Sequence, residues 1–229
     1  MKRIALSWSG GKDSAFALWC LLREPDIEVA ALVCTVTRNH DRIAMHGVRR
    51  SLLDSQVAAV GIPCHTVVIE QGAGNAAYEA ATRDLYHGLK ADGVSHIAFG
   101  DLYLADIRAY RERLVESTAL SCLFPLWLKS TTQLAREFIA AGFQARLCCV
   151  DTTRVPAEFC GRAYDDSLLT DLPPQVDPCG ENGEFHTFVW DGPIFRSPVP
   201  VSVGSAHHDR TLTFRDLLPA ASAVQEVLT

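Results

Sequence analysis

The residues best suited to chemistry lie in one short stretch near the start of the chain, residues 9–14, of sequence SGGKDS. Two adjacent glycines allow backbone dihedral angles closed to other residues, so several N–H groups can point into one concavity. The lysine adds a positive charge, and the two serines add hydroxyl groups. The stretch therefore predicts an anion-binding corner whose ligand is a phosphate chain. Its residues are Ser9, Gly10, Gly11, Lys12, Asp13 and Ser14.

The flanking segments would position this corner well. The apolar residues 4–6 precede it, and a helical pattern of apolar residues from Phe16 to Leu22 follows it, which predicts strand, glycine turn and helix. The helix would add its unpaired N–H groups and the positive end of its dipole. A plain connection in which Asp13 or Ser14 only caps the helix is the alternative. The stretch is not a Walker A loop, because Asp13 follows the lysine where that motif has Ser or Thr.

Apolar runs alternate with helical patterns over the first 150 residues. This alternation predicts an α/β fold with a doubly wound, mostly parallel five-stranded sheet. Several prolines interrupt the pattern after Asp151, so we expect a nucleotide-binding domain over residues 1–151 and a smaller α+β lobe over residues 152–229. The predicted strands cover residues 4–6, 29–34, 65–69, 96–99 and 145–150.

Candidate ligand-binding residues follow two of these strands, at the edge where open α/β sheets bind ligands. Cys34 and Thr35 end the second strand, and the segment 99–101, with Phe99, Gly100 and Asp101, ends the fourth. Arg108 and Arg111 lie on the next predicted helix, from which one or both could reach phosphates. That helix could also be an ordinary charged surface helix.

A second informative stretch, residues 177–187, lies in the predicted smaller lobe. Glu181 follows Gly180, and Glu184 follows Gly183. With glycines at these two positions, the backbone could fold back and present both carboxylates together. They could hold Mg²⁺ against nucleotide phosphates, receive an ammonium ion or amine, or remain solvated. The sequence does not separate these roles.

Composition excludes several classes of protein. The formal net charge of −6 and the pI of about 5.7 disfavour a nucleic-acid partner. We expect no secretory or membrane segment. The eight cysteines include no Cys-x-x-Cys pair, so reduced thiols in a cytoplasmic protein are expected.

The stretch SGGKDS resembles the PP-loop of the adenine nucleotide alpha-hydrolase-like ATP pyrophosphatases. Residues 180–188, GENGEFHTF, are similar to the Gly-Glu-x-Gly-Glu-aromatic-x-Thr signature of the diphthine–ammonia ligase family. The segments Met45-His46, 99–101 and 125–127 also match that family's pattern, in the same order. The resemblance covers most of the chain, from the glycine loop to about Phe195.

The resemblance implies an ATP-dependent amide ligase. In that family ATP adenylates the carboxylate of diphthine on elongation factor 2, and free ammonia then displaces AMP. The implied catalytic residues are Lys12, Glu181 and Glu184, and Asp13 would help to hold Mg²⁺. The implied nucleotide site includes the glycine loop, Cys34, Thr35, His46, Phe99, Gly100 and Asp101. The implied substrate site includes Arg108, Arg111, Glu181, Glu184, His186 and Thr187.

His186 departs from the family pattern, because diphthamide enzymes usually carry an acidic residue at this position. The acceptor therefore stays open between a carboxylate on elongation factor 2 and a small molecule, and a homodimer is an open possibility. Two other functions compete with the ligase. One is a PP-loop sulfurtransferase acting on tRNA, and the other is a nucleotide-binding sensor without chemistry.

Overall fold

The computed structural model describes residues 1–38, 42–43, 47–70 and 72–220, with only the backbone for 42 and 43. Helices and strands alternate through this part of the chain. The strands are β1 (Lys2–Ser7), β2 (Ile27–Thr37), β3 (Arg42–Ile43), β4 (Cys64–Ile69), β5 (His96–Ala98), β6 (Ser121–Leu123), β7 (Gln144–Asp151), β8 (Phe185–Asp191), β9 (Val201–Asp209) and β10 (Leu212–Pro219). The helices are α1 (Lys12–Leu21), α2 (Arg50–Val60), α3 (Asn75–Ala91), α4 (Ala105–Glu116), α5 (Thr131–Ala140) and α6 (Asp166–Asp171), with a 3-10 turn at Ala157–Phe159.

The first sheet contains five parallel strands in the order β4-β2-β1-β5-β6, and β3 pairs with β2 in the antiparallel direction. The chain runs outward from β1 to β2 and β4, and then returns to the other side of β1 to form β5. This reversal creates a switch point between the carboxyl ends of β1 and β5, which is where open α/β sheets bind ligands. The predicted α/β class with a mostly parallel five-stranded sheet is confirmed.

Helices cover both faces of this sheet, which explains the continuous apolar runs in its central strands. Leu6 and Leu32 pack into one buried cluster with residues of α1, α2 and α5. Ala5 and Ala31 point to the opposite face and pack into a second cluster with residues of α3 and α4. Successive strand residues face opposite sides, so each strand needs apolar residues at nearly every position.

The sequence prediction was wrong about the fifth parallel strand. Residues 145–150 do form a strand, but this strand, β7, pairs in the antiparallel direction with β8 and β10. The fifth parallel strand is β6, whose three residues are too few to produce a recognisable apolar pattern.

The second sheet has the order β8-β7-β10-β9, and all of its pairings are antiparallel. It forms the smaller lobe, and β8 brings the second informative stretch of sequence to the first sheet. The division into domains 1–151 and 152–229 remains a prediction. Among the residues that the structure describes, no helix has the length and apolar character needed to cross a bilayer.

Candidate active site

A cleft of about 280 Å³ opens at the switch point between β1 and β5. Its volume lies just below the usual range of small-molecule sites, roughly 300–1,000 Å³. One wall is the glycine corner with the start of α1, a second is the segment after β5, and the third is residues 180–187 of the smaller lobe. The residues of the predicted site that line this cleft are Ser9, Gly11, Lys12, Asp13, Ser14, Phe99, Gly100, Asp101, Arg111, Glu181, His186 and Thr187.

The glycine corner has the glycine-specific backbone that its sequence predicted. Gly10 adopts a left-handed conformation with φ of 76°, and α1 begins two residues later, at Lys12. The Ser14 hydroxyl donates to the carbonyl of Gly11 at 2.9 Å, which closes the first turn. The backbone N–H of Lys12 donates to Oγ1 of Thr187 at 3.0 Å. Thr187, which the sequence predicted to bind substrate, therefore holds the corner in place from the other lobe.

Lys12 is the cation at the glycine corner of the cleft, and it is only 4% exposed. Its Nζ lies 2.7 Å from both carboxylate oxygens of Asp13, and the rings of Tyr164 and Phe185 lie about 6 Å away. Burial lowers the pKa of Lys12, but the charge of Asp13 acts in the opposite direction and the net shift is upward. Lys12 is therefore protonated at neutral pH and can receive a phosphate.

The segment after β5 approaches the corner closely. A Cβ atom at Gly100 would lie 3.0 Å from the backbone carbonyl group of Asp13, so any side chain at this position would press on the glycine corner. Asp101 follows, and its Oδ2 lies 3.7 Å from Nε of Arg111. Both atoms are buried, and neither makes a hydrogen bond. Burial raises the pKa of Asp101, and Arg111 opposes that shift. The cleft therefore contains a partly buried carboxylate and a partly buried guanidinium whose hydrogen-bonding capacity is not exhausted.

Glu181 reaches across the cleft from the smaller lobe. Its Oε1 accepts the backbone N–H of Leu102 at 2.7 Å and that of Tyr103 at 3.4 Å, so it joins the 180–187 loop to the β5 segment. Burial raises the pKa of Glu181 to about 7, although these backbone N–H groups oppose the shift. A group with this pKa can exchange a proton near neutral pH.

Glu184 does not lie beside Glu181 in the cleft. The prediction that the loop presents both carboxylates together is therefore wrong. Glu184 points to the opposite side of its loop, into a separate cavity that it shares with Arg154 and Asn182. The side chain is almost fully buried. The chain turns between the two residues, with left-handed glycines at Gly180 (φ 67°) and Gly183 (φ 82°), so Glu181 lines the nucleotide cleft while Glu184 lines the other cavity.

His186 lies in the cleft, where the family usually has an acidic residue. Burial lowers the pKa of His186 to about 4, and the charge of Lys12 acts in the same direction. The imidazole is therefore neutral at physiological pH and cannot replace an anionic side chain.

Besides Gly10 and Glu184, three described residues of the predicted site do not line this cleft. Cys34 is 1% exposed and packs in the core, and Thr35 follows it along β2. Arg108 stacks over Phe124 and Trp127, each at 4.8 Å, and pairs with Glu112. His46 lies outside the described residues, so its predicted contact with nucleotide stays a prediction.

The structure reveals one residue that the sequence reasoning missed, Gln56 of α2. It is fully buried, and its amide N–H group donates to the carbonyls of Gly10 at 2.9 Å and Val189 at 2.5 Å. Its amide oxygen accepts the indole N–H of Trp8 at 3.2 Å. A polar residue in a helix usually indicates a solvent-facing position, so no sequence signal distinguished Gln56.

The donor set of the cleft fits Mg²⁺ only as an ion held mainly by phosphates. Among the described residues, no group of three or more His, Cys, Asp or Glu side chains could hold a metal. Magnesium commonly uses one or two carboxylates together with substrate phosphates and waters. Both oxygens of Asp13, the predicted ligand, contact Lys12, and its role as a metal ligand stays a prediction. Asp101, whose Oδ2 makes no hydrogen bond, is a second carboxylate with a free acceptor in the cleft.

The fold and this corner define a nucleotide-binding α/β protein of the PP-loop type. Two family models match the chain in succession, the diphthamide synthase N-terminal domain over residues 1–121 and the C-terminal domain over residues 130–218. The chain therefore belongs to the diphthamide synthase family.

Individual relatives agree with this assignment. The chain is 27% identical over 222 residues to a diphthine–ammonia ligase of Homo sapiens, an alignment that covers 87% of this chain and 82% of that protein. A diphthine–ammonia ligase of Schizosaccharomyces pombe is 28% identical over 127 residues, which cover 52% of this chain and 21% of that protein. The solved structure of the U34-tRNA thiolase NcsA from Methanococcus maripaludis is 16% identical, with a TM-score of 0.37, and the match covers 61% of this chain and 57% of that one.

Proposed function

We propose that this protein is an ATP-dependent amide ligase that adenylates a carboxylate and transfers ammonia to it. The observation that supports this most strongly is the placement of Lys12 and Glu181 on opposite walls of one cleft at the sheet's switch point. The cleft offers a cationic side for phosphates and a titratable carboxyl group for the amide-forming step. The relatives are diphthine–ammonia ligases, so diphthine is the acceptor that we propose to test first.

The first step forms an acyl adenylate. An oxygen of the acceptor carboxylate forms a bond to the α phosphorus of ATP, and the bond from that phosphorus to the bridging oxygen breaks to release pyrophosphate. Lys12, which burial keeps out of bulk water, would stabilise the charge that develops on the departing pyrophosphate. Mg²⁺ bound with ATP would supply further charge neutralisation, held by the phosphates and by Asp101.

The second step forms the amide. The nitrogen of ammonia forms a bond to the acyl carbon, the carbon–oxygen bond to AMP breaks, and AMP departs with that bonding pair. The nitrogen gives up one proton, for which Glu181 is the proposed acceptor because its pKa is close to 7. Neutral His186 adds no charge to the cleft.

The competing sulfurtransferase function has no support from the cysteines. Burial raises the pKa of every one of the eight thiols, for example to about 12 for Cys34 and Cys179. A thiol with a raised pKa is a poor nucleophile at neutral pH. The non-catalytic sensor does not require a titratable carboxyl group opposite the phosphate corner.

The exchange of labelled pyrophosphate into ATP, measured with diphthine-bearing elongation factor 2, tests the proposal. We expect exchange that depends on the acceptor and is abolished in Lys12→Ala, because the main cation of the phosphate site is removed. Lys129→Ala, which changes a lysine outside the cleft, is the matched control. Undiminished exchange in Lys12→Ala would refute the assigned role. A complete lack of exchange in the wild type, despite ATP binding, would favour the sensor.

A further inference from the structure

Glu184 does not line the nucleotide cleft, but its carboxylate is part of the loop that carries Glu181. The residue is 2% exposed. Its Oε1 accepts the backbone N–H of Asp177 at 3.2 Å and the side-chain amide of Asn182 at 2.9 Å. These two donors lie on either side of Glu181 along the chain. One carboxylate oxygen therefore closes the loop of residues 177–184 around the residue that faces the cleft.

The backbone of this loop is a succession of tight turns. The N–H of Gly180 donates to the carbonyl of Asp177 at 2.8 Å, and the N–H of Gly183 donates to the carbonyl of Gly180 at 3.1 Å. Each turn restrains only a few neighbouring residues. A contact between the two ends restrains the loop as a whole, and the side chain of Glu184 makes that contact.

Glu184 is itself anchored to the second sheet. Its backbone carbonyl accepts the N–H of Asp151, at the end of β7, at 2.9 Å. The side chain of Arg154 lies nearby and is about half exposed, with Nη1 4.0 Å from Oε1 of Glu184. The same Nη1 donates to the carbonyl of Asn182 at 3.1 Å. The carboxylate that closes the loop therefore has a cation beside it and a fixed backbone.

The two walls that face each other in the cleft depend on different contacts of this segment. Glu181 reaches the backbone N–H of Leu102 from the closed loop. The phosphate corner is held from β8, by Oγ1 of Thr187 and the N–H of Val189. A change that opens the loop at the side chain of Glu184 would free Glu181 and leave the contacts of the corner in place.

We propose that Glu184 is a positioning residue that holds Glu181 in place for the amide-forming step. This inference rests on the proposed ligase function. Oε1 of Glu184 joins Asp177 to Asn182, and the closed loop keeps the carboxylate of Glu181 against the backbone N–H of Leu102. Glu184 acts through these hydrogen bonds and takes no part in proton transfer, because its side chain is buried away from the cleft.

Separate assays of the two reaction steps test this role. In Glu184→Ala, the single-turnover rate at which ammonia converts the acyl adenylate to the amide should fall roughly 10- to 100-fold, because Asp177 and Asn182 lose their acceptor. Pyrophosphate exchange without ammonia should stay near the wild-type rate, because the corner keeps its contacts. Glu184→Gln retains an acceptor oxygen of the same size and should form the amide at nearly the wild-type rate. An equal loss in both variants, or no loss in Glu184→Ala, would overturn the proposal.

The pKa of Glu181 is a second readout, measured by NMR titration of the carboxyl carbons in ¹³C-labelled protein. Burial raises this pKa to about 7, and the titratable groups near the carboxylate are Lys12, Asp13 and Tyr103. In Glu184→Ala the opened loop should expose Glu181 to water, so its pKa should fall towards 4.5. Glu184→Gln removes the same charge but should keep the pKa near 7. An unchanged pKa in Glu184→Ala would refute the positioning role.

Two further variants keep the test decisive. Asn182→Ala removes one of the two hydrogen bonds at an exposed position, so it should show a smaller loss of amide formation even if Glu184→Ala does not fold. Unchanged amide formation in Asn182→Ala would contradict the proposal. Glu158→Ala, at an exposed position of the same lobe, is the control that should change neither readout. An absence of exchange in the wild type would instead refute the ligase function, and the NMR titration would still decide whether Glu184 positions Glu181.

Discussion

Replacing Gln56 with leucine tests whether one buried amide positions the phosphate corner. The carbonyl of Gly10 would keep the N–H of Val189 as a donor at 3.0 Å. The variant would instead deprive two groups of their Gln56 partner, the indole N–H of Trp8 and the carbonyl of Val189. Each buried polar group that loses its partner costs roughly 1–3 kcal/mol. Since leucine retains most of the packing, we expect a loss of about 2–4 kcal/mol.

For a chain of this size, that loss lowers the melting temperature by roughly 4–16 °C. The KM for ATP should also rise, because the backbone of Gly10 loses one of the contacts that fix it in the left-handed conformation. Calorimetric melting and pyrophosphate exchange measure the two effects. Asp54→Asn, an exposed change on the same helix, is the control. If Gln56→Leu matched the control in both measurements, Gln56 would not be a positioning residue.

Two further predictions concern the other walls of the cleft. Gly100→Ala should weaken ATP binding, because the added Cβ would lie 3.0 Å from the backbone of Asp13. The control is Gly88→Ala in α3, where an added Cβ would meet no atom within 4 Å. Equal ATP affinity in the two variants would contradict the close approach. Glu181→Gln should change the pH dependence of stability. The folded-state pKa of Glu181 is raised from 4.5 to about 7, so the wild type loses stability as pH rises through this window and the uncharged glutamine does not. Melting curves should show the variant gaining relative to the wild type with rising pH, and a constant difference would refute the raised pKa.

The sequence predicted the parts of the fold that depend on local pattern. Alternating apolar runs predicted the parallel strands, and two adjacent glycines before Lys12 predicted the corner that the structure contains. The pattern could not assign β7 to its sheet, because a strand covered on both faces is apolar throughout in either kind of sheet. It also could not place Glu181 and Glu184 on opposite sides of a glycine-containing loop, since no periodicity is defined over so few residues.

The hydrogen bonds between the lobes show why the smaller lobe belongs to the phosphate site itself. The N–H of Lys12 donates to Thr187, and the N–H of Val189 donates to the carbonyl of Gly10, so strand β8 binds the corner on both sides of Gly11. Glu181 in turn accepts the N–H of Leu102 at the other wall. One short segment therefore sets the distance between the two walls of the cleft. The phosphate corner and the proposed proton acceptor are therefore held by the same segment, residues 181–189, so a displacement of this segment would change the position of both.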